Sequence, residues 1–419
     1  MSEDLSKDQK YTIIYVEEDP KMRAFVSGVL SKSMNYIAKN TSSAKEALDV
    51  LKQESKETRL VIFNWDMTDI PGPIFLQKIR NNADYDHIEI LLCSDQFDEQ
   101  DYFLIEEMDI QYITPKINNA NDLMKKIEEI DNLRKKIDTK YFKLRQLESC
   151  LRKLDLEKFA EILNEPEVQE EIFNNPKYVY CNGEYLLNQR KYEEAIVFLK
   201  DFLMKKGLED VKKSENLKTL NTLGKALCLT GKYEEANALF VKLAEKSPKN
   251  LNHKVSSGDA FLGMNDIDSA NEKYQEVLKE DSEHNGGLQG AAKIEVTKGN
   301  FEAASELFKK ISGPFESITL TSFFNNRGVS LVKTGDIDAA IMFYENSLQF
   351  NQKFKGLIYF NLGLAFYRKN LKDKAKDFFS LSLKTKEGEN LVNKSIIKMI
   401  YAESEVTLEN TTFQKNINN

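Results

Sequence analysis

Apolar and polar positions change rhythm once along this chain. Up to about residue 130, short apolar runs alternate with segments whose apolar residues recur every three to four positions. The runs are YTIIYV (11–16), RLVIFNW (59–65), IEILLCS (88–94) and IQYIT (110–114). Between them the spacing predicts helices from Pro20 to about Ser33, across 42–54, 74–80 and Glu99–Met108, and from about Asn121. Continuous Val/Ile/Leu runs separated by amphipathic helices are what a parallel sheet covered on both faces requires. Polar connections such as MTDIPGP follow the C-terminal ends of the strands, where open α/β sheets gather their functional groups. Beyond Leu123 the strand pattern does not return, and the rest reads as helix.

That helical part is periodic. KYEEA (191–195), GKYEEA (231–236), NDIDSA (265–270), GNFEAA (299–304), GDIDAA (335–340) and NLKDKA (370–375) align on Ala195, Ala236, Ala270, Ala304, Ala340 and Ala375, a repeat of about 34 residues. Twelve positions before each alanine stands a small residue (Gly183, Gly224, Gly258, Ala292, Gly328, Gly363), which lets two helices approach closely. Four positions after it comes a bulky one (Leu199, Phe240, Tyr274, Phe308, Tyr344, Phe379), expected to pack against the neighbouring repeat. Gly231, Gly299 and Gly335 fall at the turn between the helices, and Pro248 stops a helix.

These positions resemble the tetratricopeptide repeat. The match covers 216–383 as five repeats and extends to 178–204, so that 178–383 is expected to hold about six. An earlier copy at about 141–174 has Ala160 and Leu151 in place but departs at Glu148 and Asp155, and 131–177 is otherwise a helical linker. Residues 389–403 suit a solvating last helix and 404–419 a frayed tail. The resemblance implies a right-handed stack whose concave wall is lined by each repeat's first helix, including Asn221, Lys225, Asn325, Lys333, Phe360, Tyr367 and Arg368. Mixed amide, basic and aromatic groups there suit an extended or acidic peptide.

Residues 11–130 resemble a response regulator receiver domain over its whole length. YVEEDPKMR places Glu17 and Glu18 on the family's acidic pair. RLVIFNWDMTDIPGPIFLQKIR aligns Gly72 with the loop glycine, which puts Asn64 where the family has its phosphoacceptor aspartate. LLCSD puts Ser94 on the hydroxyl position and QYITPK puts Tyr112 on the switch aromatic, while the family's Lys-Pro is here Pro115-Lys116. The implied fold is a flavodoxin-like, doubly wound α/β domain, followed by an all-α superhelix. The implied chemistry is altered. Phosphoryl transfer needs a carboxylate nucleophile, a Mg²⁺ ion and a nearby cation. Asn64 cannot form an acyl phosphate, Glu17 and Glu18 reach further than aspartate, and Pro115-Lys116 moves the lysine by one residue. No cofactor is therefore expected, with Mg²⁺ binding weak or absent. Asp66 is an alternative acceptor two residues on, and Asp69 reads as a turn residue.

Composition narrows the function classes. The 419 residues (48.3 kDa) exceed one ordinary core, and 41% hydrophobic with 30% charged residues describes a folded chain. Its net charge of −8 is concentrated in the first 130 residues, which argues against a phosphate-backbone footprint and so against nucleic acid. A polar, acidic start and the lack of a run of about 20 apolar residues argue against secretion and membrane insertion, so a cytoplasmic location is expected. Cys93, Cys150, Cys181 and Cys228 are dispersed, as are His87, His253 and His284, without metal-ligand or catalytic spacing.

The combined expectation is a cytosolic, non-catalytic signalling adaptor: a phosphorylation-independent receiver-like domain joined to a scaffold that binds protein partners. A phosphorelay response regulator with a working acceptor, and a purely structural scaffold, are the competing readings. The receiver face carrying DQFDEQDYFLIEEMD (95–109) is implied to make protein contacts. Helix 121–154 carries an apolar stripe (Ile127, Ile130, Leu133, Ile137, Tyr141, Leu144, Leu147, Leu151, Leu154) that suits either a homodimer arm or packing against the first repeats.

Overall fold

The computed structural model describes residues 10–32, 35–135, 139–206, 216–311, 317–348 and 355–391. Residues 392–419, which include most of the expected last helix and the whole tail, lie outside them. The chain divides into two compact units, residues 1–291 and 292–419.

The first unit begins with β1 (Tyr11–Val16), α1 (Pro20–Leu30), β2 (Tyr36–Thr41), α2 (Ala44–Glu54), β3 (Thr58–Asn64), α3 (Gly72–Arg80), β4 (Glu89–Cys93), α4 (Glu99–Glu107), β5 (Tyr112–Thr114) and α5 (Ala120–Lys135). The five strands are all parallel in the order β2-β1-β3-β4-β5. The strand β2 is absent from the sequence reading. It is an edge strand in which only Tyr36 and Thr41 are buried, so its YIAKNT sequence lacks the apolar run that marks the central strands. Local signals start the helices: Asp19 caps α1, Ser43 caps α2, and Asp98 and Asp101 close a capping box on α4. One face of the sheet packs on α2, α3 and α4 through Val61, Phe63, Phe75 and Leu104; the other packs on α1 and α5 through Ile13, Ile62, Val26 and Ile127.

Next come α6 (Thr139–Lys153), α7 (Leu156–Leu163) and α8 (Pro166–Glu171). The apolar stripe, suited to either a homodimer arm or packing against the first repeats, is buried inside the chain at Ile127, Ile130, Leu144 and Leu147. Ile127 and Ile130 of α5 are buried against the sheet, and Leu144 and Leu147 of α6 are buried with Phe159, Val168 and Tyr178. A residue that fills an intramolecular core cannot also form a seam with a second copy. Packing against the first repeats holds for Leu144 and Leu147, which meet Tyr178, whereas Ile127 and Ile130 pack on the sheet instead. Ile137 and the side chains of Leu133 and Tyr141 lie outside the described residues.

Helix pairs follow: α9 (Pro176–Asn188) with α10 (Tyr192–Lys206), α11 (Leu217–Leu229) with α12 (Tyr233–Lys246), and α13 (Leu251–Gly263) with α14 (Ile267–Glu280). The unit boundary falls within α15 (Asn285–Lys298). The second unit continues with α16 (Phe301–Lys309), α17 (Ser317–Lys333), α18 (Ile337–Ser347), α19 (Lys355–Arg368), α20 (Lys372–Leu383) and α21 (Lys386–Leu391).

Each pair works by the same contact. A Cβ placed on Gly224 would lie 2.5 Å from the Phe240 ring, one on Gly258 2.6 Å from Tyr274 and one on Gly363 2.6 Å from Phe379. The bulky residue after the alanine therefore packs on the glycine of its own repeat, and Tyr274 also packs on the next repeat as expected, since a Cβ on Gly290 would overlap its ring. Burying such a ring contributes about 2–3 kcal/mol, and the bare glycine is what makes room for it. The turn between the two helices is also constant. Arg190, Gly231, Asn265, Gly299, Gly335 and Asn370, each five positions before the repeat alanine, all have φ between 61 and 88°. Only some are glycine, so the motif is a left-handed backbone state that asparagine also tolerates.

Candidate functional site

The loops after β1, β3, β4 and β5 converge at the C-terminal edge of the sheet, and they bring Glu17, Glu18, Asn64, Asp66, Ser94 and Lys116 together. Asn64 ends β3 and is buried. Its carboxamide nitrogen donates to both Glu17 carboxylate oxygens, at 3.2 and 3.0 Å, and its oxygen accepts from the Asp66 backbone N–H at 3.2 Å. Glu17 also accepts from the Asp19 backbone N–H at 3.0 Å. Glu18 turns away and accepts from the Thr68 backbone N–H at 2.5 Å and hydroxyl at 2.7 Å. The Arg23 guanidinium ties the loop down by donating to the carbonyls of Glu17 and Glu18, both at 2.6 Å.

Asp66 holds the position from which the remaining groups can be understood. Its carboxylate accepts from the Ser94 hydroxyl, 3.2 Å from each oxygen, and pairs with the Lys116 ammonium at 3.0 Å. The hydrogen bond to Asp66 raises the Lys116 pKa above its usual value, so the ammonium stays charged. The one-residue shift of Pro115-Lys116 therefore does not remove the cation from the site. The long lysine stem crosses the loop and reaches Asp66, while the Lys116 backbone N–H is held by Asp95 at 3.0 Å. Tyr112 is buried in the α1/α5 core beside Ile117. Asp69 accepts from the N–H groups of Ala44 and Lys45, at 3.1 and 3.0 Å, and so holds the start of α2. Gly72 has to be glycine, because a Cβ there would lie 2.5 Å from the Trp65 ring.

This set does not suit Mg²⁺. A hard cation needs oxygens directed at it, and here an N–H₂ group is directed at Glu17 from the place where the family has a carboxylate. Glu17, Glu18 and Asp66 each already accept from a donor of the same chain.

A second feature lies along α3 and α4 in the first unit. Glu107 is buried at 2% exposure and accepts from the Ser247 hydroxyl at 2.6 Å and the Asn250 amide at 3.1 Å, with His253 Nε2 at 2.8 Å. Burial opposes the charge on Glu107, but His253 and the two donors outweigh it and hold its pKa below the usual range. Asp109 pairs with Lys177 and Lys218, Asp98 and Asp101 pair with Lys249 at 2.6 and 2.7 Å, and Lys78 pairs with Asp281 at 2.8 Å. Burial raises the Asp109 pKa, and the two ammonium groups more than reverse this and lower it. The acidic stretch 95–109 is thus seated on the chain's own first three repeats. Glu148, at the small-residue position of the irregular early copy, accepts from the Tyr180 hydroxyl and from Lys218 at 3.2 Å.

Of the residues expected in the repeat groove, the first unit holds two. Asn221 accepts from the Ser256 hydroxyl at 3.4 Å, and Lys225 pairs with Glu184 at 3.2 Å. In the second unit Asn325 accepts from the Asn361 amide at 2.7 Å, and Phe360 leans on Phe379 with ring centres 5.8 Å apart. Lys333, Tyr367 and Arg368 are exposed. Among the described residues no helix is long and apolar enough to cross a membrane.

Comparison with known proteins agrees with both parts. The family model "Response regulator receiver domain" matches residues 13–128, and "Tetratricopeptide repeat" matches residues 321–354. TPR repeat-containing protein MJ1428 of Methanocaldococcus jannaschii is 25% identical, over 55% of this chain and 48% of its own length, so the chain spans about half the length of that curated relative. Among solved structures, a tetratricopeptide repeat protein from Parabacteroides merdae shares 18% identity at a TM-score of 0.38, covering 63% of this chain and 99% of its own. The Cut9-Hcn1 hetero-tetramer of the APC/C shares 14% identity at a TM-score of 0.41, covering 78% of this chain and 58% of its own. Neither family is a catalytic one. The chain carries an N-terminal response regulator receiver domain of flavodoxin-like fold, followed by tetratricopeptide repeats.

Proposed function

We propose that this protein is a cytoplasmic signalling adaptor whose receiver domain works without phosphorylation and whose repeats bind a protein partner. The observation that carries the reading is the Asn64 carboxamide, which stands in place of the nucleophile and donates both its bonds into Glu17. An amide nitrogen has its lone pair delocalised and does not form an acyl phosphate, and the neighbouring carboxylates are already occupied by donors of the same chain. Partner binding is assigned to the first-helix positions, with Lys333, Tyr367 and Arg368 as exposed basic and aromatic groups. The test is intact-mass measurement after treatment with acetyl phosphate and Mg²⁺, with no phosphoryl adduct expected.

One observation favours a second reading. Asp66 is bonded to both Ser94 and Lys116, the hydroxyl and the cation that a receiver places around its acceptor. In that reading Asp66 is the acceptor of a phosphorelay switch, and an adduct mapped to Asp66 in the same experiment would replace the first reading by it.

A further inference from the structure

The α4 edge is seated by charge at its rim and by buried polar groups at its centre. At the rim, Asp98 pairs with Lys249, Glu99 lies 3.6 Å from Lys246, and the Lys246 ammonium sits 4.1 Å above the Phe103 ring. At the centre, Glu107 is held by Ser247, Asn250 and His253, and Asp109 by Lys177 and Lys218. Along α4 the repeats contribute cations, hydroxyls and amides and the receiver domain contributes carboxylates and one aromatic ring; only beyond it, at α3, is the polarity reversed, with Lys78 pairing with Asp281. Such a split is the complementarity of a recognition surface for an acidic helix, because solvated faces that merely touch carry mixed charges on both sides. Lys177 and Lys218 also occupy equivalent places in successive repeats, near the start of α9 and α11, as ligand-contacting positions of a repeat array do.

We propose that Lys177, Lys218, Lys249, Asn250 and His253 form a binding site for the acidic edge of a helix, that α4 fills it as a tethered occupant, and that an outside protein presenting the same chemistry reaches it by displacing α4. This rests on the reading of the repeats as protein-binding modules. It adds the kind of partner they take at this end of the array: an acidic helix with an aromatic residue among its carboxylates. The receiver domain then controls access by occupying the site, and no phosphoryl chemistry is involved. A tethered occupant acts at an effective concentration on the order of millimolar, so a free competitor of equal intrinsic affinity is excluded at ordinary concentrations.

The experiment uses the full chain and a fluorescently labelled synthetic peptide of residues 95–110, DQFDEQDYFLIEEMDI, read by anisotropy. The unaltered chain is expected to show negligible binding. In a Glu107→Gln, Asp109→Asn chain the occupant is weakened while the repeat side of the site is intact, and the peptide should bind at least tenfold more tightly. Both changes keep the fold accessible: glutamine still accepts from Ser247 and Asn250, and asparagine tolerates the φ of 53° at position 109. Adding Lys218→Ala and Lys249→Ala should abolish the gain. Hydrogen exchange of the same chains gives a second measurement, with α4 amides protected in the unaltered chain and faster in the double variant, while β3 is unchanged. Equal peptide affinity in both chains, or α4 amides already unprotected in the unaltered chain, overturns the proposal. If the peptide never binds while changing Asn325, Lys333 and Arg368 still costs the protein a partner, this proposal fails alone and the adaptor reading stands.

Discussion

Gln77 of α3 lies across the turn that leads into α13 and pairs with Leu251 as one strand pairs with another. Its side-chain oxygen accepts from the Leu251 backbone N–H at 2.9 Å, while its nitrogen donates to the Lys249 carbonyl at 2.9 Å. At 2% exposure it has no solvent to fall back on. Gln77→Ala should therefore cost about 1–3 kcal/mol through the two groups left unpaired, and Gln77→Glu should cost at least as much, because a carboxylate cannot donate to Lys249. Urea denaturation followed by fluorescence checks this, and a midpoint unchanged in both variants would contradict it.

Gly224 and Phe240 occupy one space. Gly224→Leu should overpack the α11/α12 pair and cost about 1–3 kcal/mol, loosening the adjoining repeats as well, since stability in such arrays is roughly a sum of nearest-neighbour terms. Calorimetry is the check; a variant that melts within a degree of the unaltered protein would refute the packing.

Asn64→Asp replaces a donated hydrogen bond by a carboxylate about 3 Å from Glu17. Two like charges at that distance repel. The variant should melt below the unaltered protein in chelator and recover part of the difference in millimolar Mg²⁺, while the unaltered protein should be indifferent to Mg²⁺. Stable phosphorylation is still not expected to alter Tyr112, which is enclosed in the α1/α5 core.

Acid should release the α4 edge before it unfolds the sheet. Glu107 and Asp109 have lowered pKa values in the folded protein, so their contribution is fully present above the unfolded carboxylate range, about pH 4–4.5, and is lost as pH falls through the folded values. Burial opposes the charge on Lys218 and Lys249, but their carboxylate partners outweigh it and raise their pKa values, so both remain protonated throughout that window. Hydrogen exchange of α4 between pH 5 and pH 3, corrected for intrinsic rates, should show falling protection. Unchanged protection at pH 3 would rule the mechanism out.

In the second unit, changing Asn325, Lys333 and Arg368 together should reduce capture of a bound protein partner by tenfold or more without lowering the melting temperature by more than a few degrees. Lys333 and Arg368 are exposed; Asn325 accepts a hydrogen bond from Asn361, so Asn325→Ser is the milder choice there. Capture that is unaffected would remove the groove assignment for these repeats.

The repeats were legible because one contact, glycine against ring, imposes residue types at fixed spacing, and the central strands because burial on both faces demands unbroken apolar runs. The edge strand β2 escaped because Lys39 and Asn40 need not be apolar where one side is open. The seating of α4 escaped for a different reason. Glu107, Gln77 and His253 are polar residues that on a helix normally face water, and nothing local distinguishes a carboxylate facing solvent from one facing Ser247 and Asn250. Its only trace was the acidic run 95–109 together with lysines at matching places in successive repeats. At the receiver edge, the identity of Asn64 was readable, but the reach of Lys116 was not, because a flexible four-carbon stem offsets a shift of one backbone position.

The first compact unit extends to residue 291, which alters what a truncation would mean. A cut between residues 130 and 139 follows the border between the two sequence families, yet it would strip Glu107 of its three partners and leave the backbone of the turn before α13 without Gln77. Pieces made there would each carry a raw polar wound and a set of unmatched charges, and they would be prone to find each other again or to bind unrelated acidic or basic proteins. Apparent partners captured by such halves would then reflect the missing half.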